Sequence, residues 1–192
     1  MIDSAVNNTG VLEAAGDLIV SAKVTGAGKL EINGGTLELT QANVASNVAF
    51  LTANGVLQID HAQTYAGTVT GMSTTFGTTL DLSDIGFGGS TTATYSGTTA
   101  SGVLTVSDGT HIAKIKLAGN YTASTFSVSS DGHGGTDVVD PKATTHAIAA
   151  SPHAFIAAMA SLGATSDGSG AHAVAADHKL QPVLATPVLQ SA

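Results

Sequence analysis

The sequence predicts an all-β protein: a short, irregular β-solenoid closed by C-terminal β-hairpins, then a mostly disordered tail with one short helix. Three observations carry this. A five-residue unit, Gly-x-Leu-x-apolar, recurs along the first half of the chain. Two pairs of alternating runs flank Gly-rich turns after residue 100. Pattern and charge both change at Pro141, which divides a body, 1–140, from a tail, 141–192.

The unit occurs as Gly16-Asp17-Leu18-Ile19-Val20, Gly28-Lys29-Leu30-Glu31-Ile32 and Gly35-Thr36-Leu37-Glu38-Leu39. It returns as Gly55-Val56-Leu57-Gln58-Ile59 and Gly102-Val103-Leu104-Thr105-Val106, and without its glycine as Thr78-Thr79-Leu80-Asp81-Leu82. Leu and the second apolar residue stand two apart, so both face one side of an extended strand. The residue between them is Glu, Gln, Asp or Thr in five of the six copies, which suits the solvent face. Gly-, Asn- and Thr-rich segments between units read as turns. Offsets of 7, 20 and 47 between Gly28, Gly35, Gly55 and Gly102 make the repeat irregular. Each coil of a solenoid buries only a narrow apolar strip and depends on its neighbours. An antiparallel sandwich or barrel, which also uses short strands, is the competing architecture.

Beyond residue 100, Ser107-Asp108-Gly109-Thr110 separates Gly102–Val106 from His111–Leu117, and Asp-Gly between alternating runs signals a hairpin. Ser124–Ser129 and Thr136–Val139 flank Asp131-Gly132-His133-Gly134-Gly135 in the same way. Two hairpins here can cover the strand edge that a solenoid leaves open. In the tail, Ser151 suits an N-cap, Pro152 the first helical position and Gly163 the stop. Phe155, Ile156, Met159 and Leu162 fall on one face of that helix.

The composition excludes several classes. Charged residues are 10% of the chain, there is no cysteine, and all six basic residues are lysine. Disulfide frameworks and Cys-ligated metal centres are therefore out. The body holds twelve acids against four lysines, which gives the whole net charge of −8; the tail holds two of each. An acidic body without arginine is a poor nucleic-acid binder. Divalent cations are its natural counterions. No apolar run approaches the roughly 18 residues of a membrane helix. Met1–Asn8 has neither the basic nor the apolar region of a secretory signal peptide.

The order Gly102–His111, Gly119-Asn120-Tyr121-Thr122, Ser129–Thr136 and Asp140-Pro141 resembles the C-terminal modules of large repeat proteins exported by type I secretion in α-proteobacteria. Those include calcium-binding and adhesin-like proteins. The earlier Gly-x-Leu-x-apolar units are similar, more generically, to adhesin β-helix passengers. The resemblance implies a secreted or cell-surface protein that meets a type I secretion apparatus. It makes the Ala-rich tail an uncleaved C-terminal export signal. Patterned sequence begins near Thr9-Gly10, as expected of the end of a longer repeat protein or of a short reading frame cut from one.

Calcium is the first chemistry to weigh. Asp131–Val139 can be laid on the nonapeptide G-G-x-G-x-D-x-U-x, with Gly132, Gly135, Asp137 and Val139 matching and His133 where a glycine belongs. A hard cation takes carboxylate and carbonyl oxygens, which a Gly-rich turn can present. Asp131, Asp137 and Asp140 are the candidate ligands; a hairpin turn with solvated aspartates is the alternative. Asp81 and Asp84 could in principle pair for glycoside hydrolysis, but Asp81 sits at the solvent position of its unit and Asp84 in the following turn. Asp108 and His111 flank a turn and are the candidate catalytic pair. No zinc spacing, nucleophile elbow or phosphate-binding loop occurs among the seven histidines and the Gly-rich segments. Two functions follow, beside a third reading in which the chain is a non-functional export tail severed from its enzyme. One is a calcium-responsive surface or interaction module, with surface carbohydrate as a possible ligand. The other is a small calcium-dependent hydrolase acting on a glycoside, ester or lactone.

Overall fold

The computed structural model describes residues 1–42 and 44–140, so the helix expected at 151–163 and the whole tail lie outside the described residues. The body is a β-solenoid of about four turns. The chain starts with β1 (Val6–Asn7), then makes its first full coil with β2 (Val11–Ala14), β3 (Leu18–Val20) and β4 (Val24–Thr25). β5 (Lys29–Ile32) and β6 (Thr36–Leu39) form the second coil, β7 (Val48–Phe50) and β8 (Gly55–Ile59) the third, and β9 (Thr68–Thr70) and β10 (Thr78–Leu82) the fourth. The cap is β11 (Thr92–Gly97), β12 (Ser101–Ser107), β13 (Ile112–Ala118), β14 (Ser127–Ser130) and β15 (Thr136–Val139).

Two sheets face one another. One runs β14-β15-β10-β8-β6-β3, the other β11-β12-β13-β9-β7-β5-β2, and β1 pairs β4 on a third side. The coil strands pair in parallel: Leu18 registers with Leu37, Leu37 with Leu57 and Leu57 with Leu80. The irregular glycine offsets now have a cause. Seven residues carry the chain from β5 across to β6 within one coil, and twenty carry it from β6 to β8 one coil on. The offset of 47 to Gly102 leaves the parallel stack for the cap.

Leu30, Ile32, Leu37, Leu39, Leu57, Ile59, Leu80 and Leu82 are all essentially without exposure, as the alternation requires. Each buried leucine side chain contributes about 1.5–3 kcal/mol relative to exposure. Glycine at the corners is a packing need. A Cβ on Gly35 would lie 2.2 Å from the carbonyl oxygen of Gly16, one coil away.

The hairpins close the stack. β13 joins β9 in parallel, but β12 and β11 then fold back antiparallel. On the other sheet β15 lies antiparallel to β10 and carries β14 with it. The two outer strands lean together through Tyr95 and Phe126, with ring centroids 6.1 Å apart, and Tyr121 sits edge-on to Tyr95 at 5.8 Å. Tyr121 is buried and its hydroxyl donates to Met72 O at 3.0 Å.

Candidate functional site

The two predicted hairpin turns are built alike, from the tripeptide Ser-Asp-Gly at 107–109 and again at 130–132. In each, the serine hydroxyl oxygen accepts from the glycine N–H, at 3.1 Å. In each, one carboxylate oxygen of the aspartate accepts two further backbone N–H groups. For Asp108 these come from Thr110 at 2.7 Å and His111 at 2.6 Å. For Asp131 they come from His133 at 2.7 Å and Gly135 at 2.9 Å. The recurrence of Ser-Asp-Gly marks both turns in the sequence. Both turns reach one corner of the stack. A Cβ on Gly86 would lie 3.4 Å from Asp108 Oδ2 and 4.0 Å from Gly134 O.

Asp108 and His111 do meet. Asp108 Oδ2 lies 2.8 Å from His111 Nδ1 and also accepts from Gly86 N–H at 3.0 Å. The N–H and ring of His111, with the N–H of Thr110, hold the Asp108 carboxyl well below the usual carboxylate range. When the ring is neutral and Nδ1 carries the proton, Nε2 is left as an acceptor, which is the arrangement of an oriented general base. The His111 side chain is 49% exposed, so that nitrogen is open to water. The nearby Ser90 hydroxyl donates to Asp108 O at 2.6 Å. It is thereby engaged with backbone, and among the described hydrogen bonds no hydroxyl meets the His111 ring.

The metal candidates divide between two faces. β15 alternates, so Thr136, Val138 and Asp140 turn inward while Asp137 turns out. Asp140 is 1% exposed; its Oδ2 accepts from the Ser124 hydroxyl, and its Oδ1 has no hydrogen-bond partner. Burial pushes its carboxyl up, opposed by hydrogen bonds from Ser124 and Thr125. Asp140 therefore fastens the 124–125 segment to the end of β15 and does not share a face with Asp137. Asp131 and Asp137 do lie on one side, and a third carboxylate joins them there from a distant strand. The antiparallel pairing sets Asp137 directly opposite Asp81.

Asp81 belongs to an outer row that crosses the sheet as Glu38, Gln58, Asp81 and Asp137. Asp60 stands two residues after Gln58, accepting from Gln58 Nε2 at 3.1 Å and the Ser83 hydroxyl at 3.0 Å. The body's lysines are elsewhere: Lys29, Lys114 and Lys116 are on the other sheet and Lys23 is at the third side. Asp81 is pushed up to about 6, first by burial and then by the charges of Asp137, Asp131 and Asp60, with His133 acting the other way. Burial and Asp131 push Asp137 up as well. Asp81 Oδ1 is buried and without a hydrogen-bond partner. Among the described residues no three Asp, Glu or His side chains converge to enclose a metal ion.

Asp84 does not face Asp81. Its carboxylate accepts from Ala62 N–H at 3.0 Å and Gln63 N–H at 3.3 Å, anchoring the short 3-10 turn Ala62–Thr64. Among the described residues no helix is long and apolar enough to cross a membrane. No family model, no curated protein and no solved structure matches the chain.

Proposed function

We propose that the chain is a secreted or cell-surface interaction module, the C-terminal part of a type I-exported repeat protein, whose β-solenoid responds to calcium. One observation carries the calcium part: the lysine-free outer face on which Asp81 and Asp137 stand opposite each other, beside Asp131 and Asp60. Like charges directly opposed across a strand pair are destabilising. The orphaned Oδ1 of Asp81 gives a cation an oxygen that nothing in the protein satisfies. Calcium accepts a few carboxylate oxygens completed by water in irregular geometry, whereas magnesium demands a tight octahedron. The opposed pair Asp81 and Asp137 supplies the proposed ligands, Asp131 adds negative charge beside Asp137, and Asp140 is structural.

The test is a thermal melt of the full chain with chelator, calcium or magnesium. A ligand that binds only the folded form stabilises it by about 2.7 kcal/mol at a hundredfold excess over its Kd. Calcium raises Tm, magnesium does so poorly, and Asp137→Asn weakens the response while Asp167→Asn leaves it alone. No calcium-dependent shift, or full reproduction by magnesium, refutes the assignment. The export part has its own test: deleting residues 142–192 abolishes release through a type I apparatus, and full release of the shortened chain refutes it.

A second reading, a calcium-dependent hydrolase of a glycoside, ester or lactone, is favoured by the Asp108–His111 contact with its open Nε2. Among the described residues no hydroxyl meets the His111 ring, so in this reading His111 activates water. Hydrolysis of an ester, lactone and glycan panel that His111→Ala abolishes would establish it.

A further inference from the structure

The end of the stack near residue 1 is finished unevenly. On the six-stranded sheet, β3 is met by Ile2, whose N–H donates to Ile19 O at 2.7 Å and whose carbonyl accepts from Ser21 N–H at 2.9 Å. On the third side β1 lies parallel on β4. β2 is different: among the described residues it pairs only with β5. Lys29 N–H donates to Gly10 O and Asn33 N–H to Ala14 O. Backbone alternation therefore turns the N–H and C=O groups of Val11 and Glu13 to the vacant side. The strand has no proline or lysine to blunt that edge. Val11 is 57% exposed beside it.

The glycine columns point to an occupant. One coil down, a Cβ on Gly28 would lie 2.5 Å from Gly10 O, and one on Gly35 would lie 2.2 Å from Gly16 O. Glycine is required there because the preceding coil presses on it. At Gly10 and Gly16 a Cβ would meet nothing within 4 Å. The first coil thus repeats a glycine that no contact within the described residues demands, and leaves open the space filled one level below.

We propose that the free edge of β2 is a strand-addition surface that takes an extended partner segment of the Gly-x-Leu-x-apolar kind, running parallel to β2. Ile2 and β1 already lie one level beyond β3 and β4 and run parallel to them, which sets the direction. The column Leu12, Leu30, Val48 runs inward from this edge, so the added strand places its leucine beyond half-buried Leu12. Main-chain hydrogen bonds supply the affinity and the alternating pockets the selectivity, as in other strand additions. The inference goes beyond the calcium reading and does not depend on it.

The test uses the full chain in chelator and a capped synthetic peptide, Gly-Lys-Leu-Glu-Ile-Asn-Gly, which is the sequence of residues 28–34. Residue-resolved hydrogen exchange reads the amides of Val11 and Glu13. Saturating peptide slows both by about tenfold or more, the protection expected of a newly paired strand. The amides of β13 do not change. A peptide with the alternation shifted by one, Gly-Leu-Lys-Ile-Glu-Asn-Gly, slows neither. Val11→Pro, which removes one edge donor, abolishes the effect; Gly10→Val, which fills the open space, does the same should the proline variant fail to fold. No slowing, or equal slowing by both peptides, overturns the proposal. Protection of Val11 and Glu13 without peptide that disappears on dilution also overturns it, by giving the edge to a second copy.

Discussion

Replacing Asp81 by asparagine should stabilise the protein at neutral pH and leave it unchanged in acid. The carboxyl is pushed from its ordinary 3.8 to about 6 in the folded protein. Each tenfold change in proton affinity is worth about 1.4 kcal/mol, so the gap taken whole would be about 3 kcal/mol. Asp81 lies on the outer face, where water screens it, and that reduces the expected effect to about 1 kcal/mol. A carboxyl raised by folding costs stability wherever it is ionised in both states, here above about pH 6. As pH falls from about 6 towards 3.8 the folded state takes up the proton first, and the penalty disappears. Below both values the two states are equally protonated. Asparagine keeps the shape and removes the charge facing Asp137. Denaturant melts of both chains at pH 8, 7, 6, 5, 4 and 3, in chelator, supply the difference curve. It should favour Asp81→Asn by about 1 kcal/mol at pH 8, shrink below about pH 6 and vanish only below 3.8. A variant no more stable at pH 8, or equally more stable throughout, refutes the argument that charge repulsion strains this pairing.

Other substitutions test the remaining links. Leu57→Ala should cost about 2–5 kcal/mol in denaturant melts, and Glu38→Ala or Glu31→Ala within about 0.5, because the first empties the inner column and the others trim the outer face. Gly35→Ala should cost about 2 kcal/mol or more, since its Cβ meets a backbone oxygen, whereas Gly16→Ala, facing open space, should stay within about 0.5. Asp108 runs opposite to Asp81. Its lowered carboxyl contributes stability above its unfolded value near 3.8 that is lost as pH falls below that. Asp108→Asn should therefore lower Tm at pH 7 and lose that deficit towards pH 2, read by thermal melts.

What could be read in advance followed from local alternation. Leu30, Leu37, Leu57 and Leu80 could be placed on the inner face because a two-residue period admits no other assignment when Glu, Gln or Asp stands between apolar positions. Gly135 and Pro141 punctuate the strand Thr136–Val139, so its bounds are legible in the sequence. The short strands at Val48–Phe50 and Thr68–Thr70 carry no leading Gly-x-Leu and give no comparable signal. β11, Thr92–Gly97, is mostly exposed and polar on a sheet edge, so alternation hardly marks it. Asp108 and His111 could be brought together because three residues across a turn span a short distance. The meeting of Asp81 with Asp137 could not, since 56 residues and a reversal of chain direction separate them. Asp140 looked like part of an acidic turn, and only the parity of β15 reveals that it points inward.

The antiparallel seating of β15 on β10 makes the six-stranded sheet a ruler with one fixed stop. Strands before it run in one direction and interchange by register, so a segment of some 20 residues, the step from Leu37 to Leu57, could be duplicated or excised with its rows still aligned. At β10 the polarity inverts, and a coil inserted beyond it would meet hydrogen-bonding groups spaced for the opposite direction. Changes of length in such a chain are therefore confined to the side of β10 that holds Leu18, Leu37 and Leu57. The acidic pair at Asp81 and Asp137, lying on the seam itself, would keep its geometry however many coils came before it.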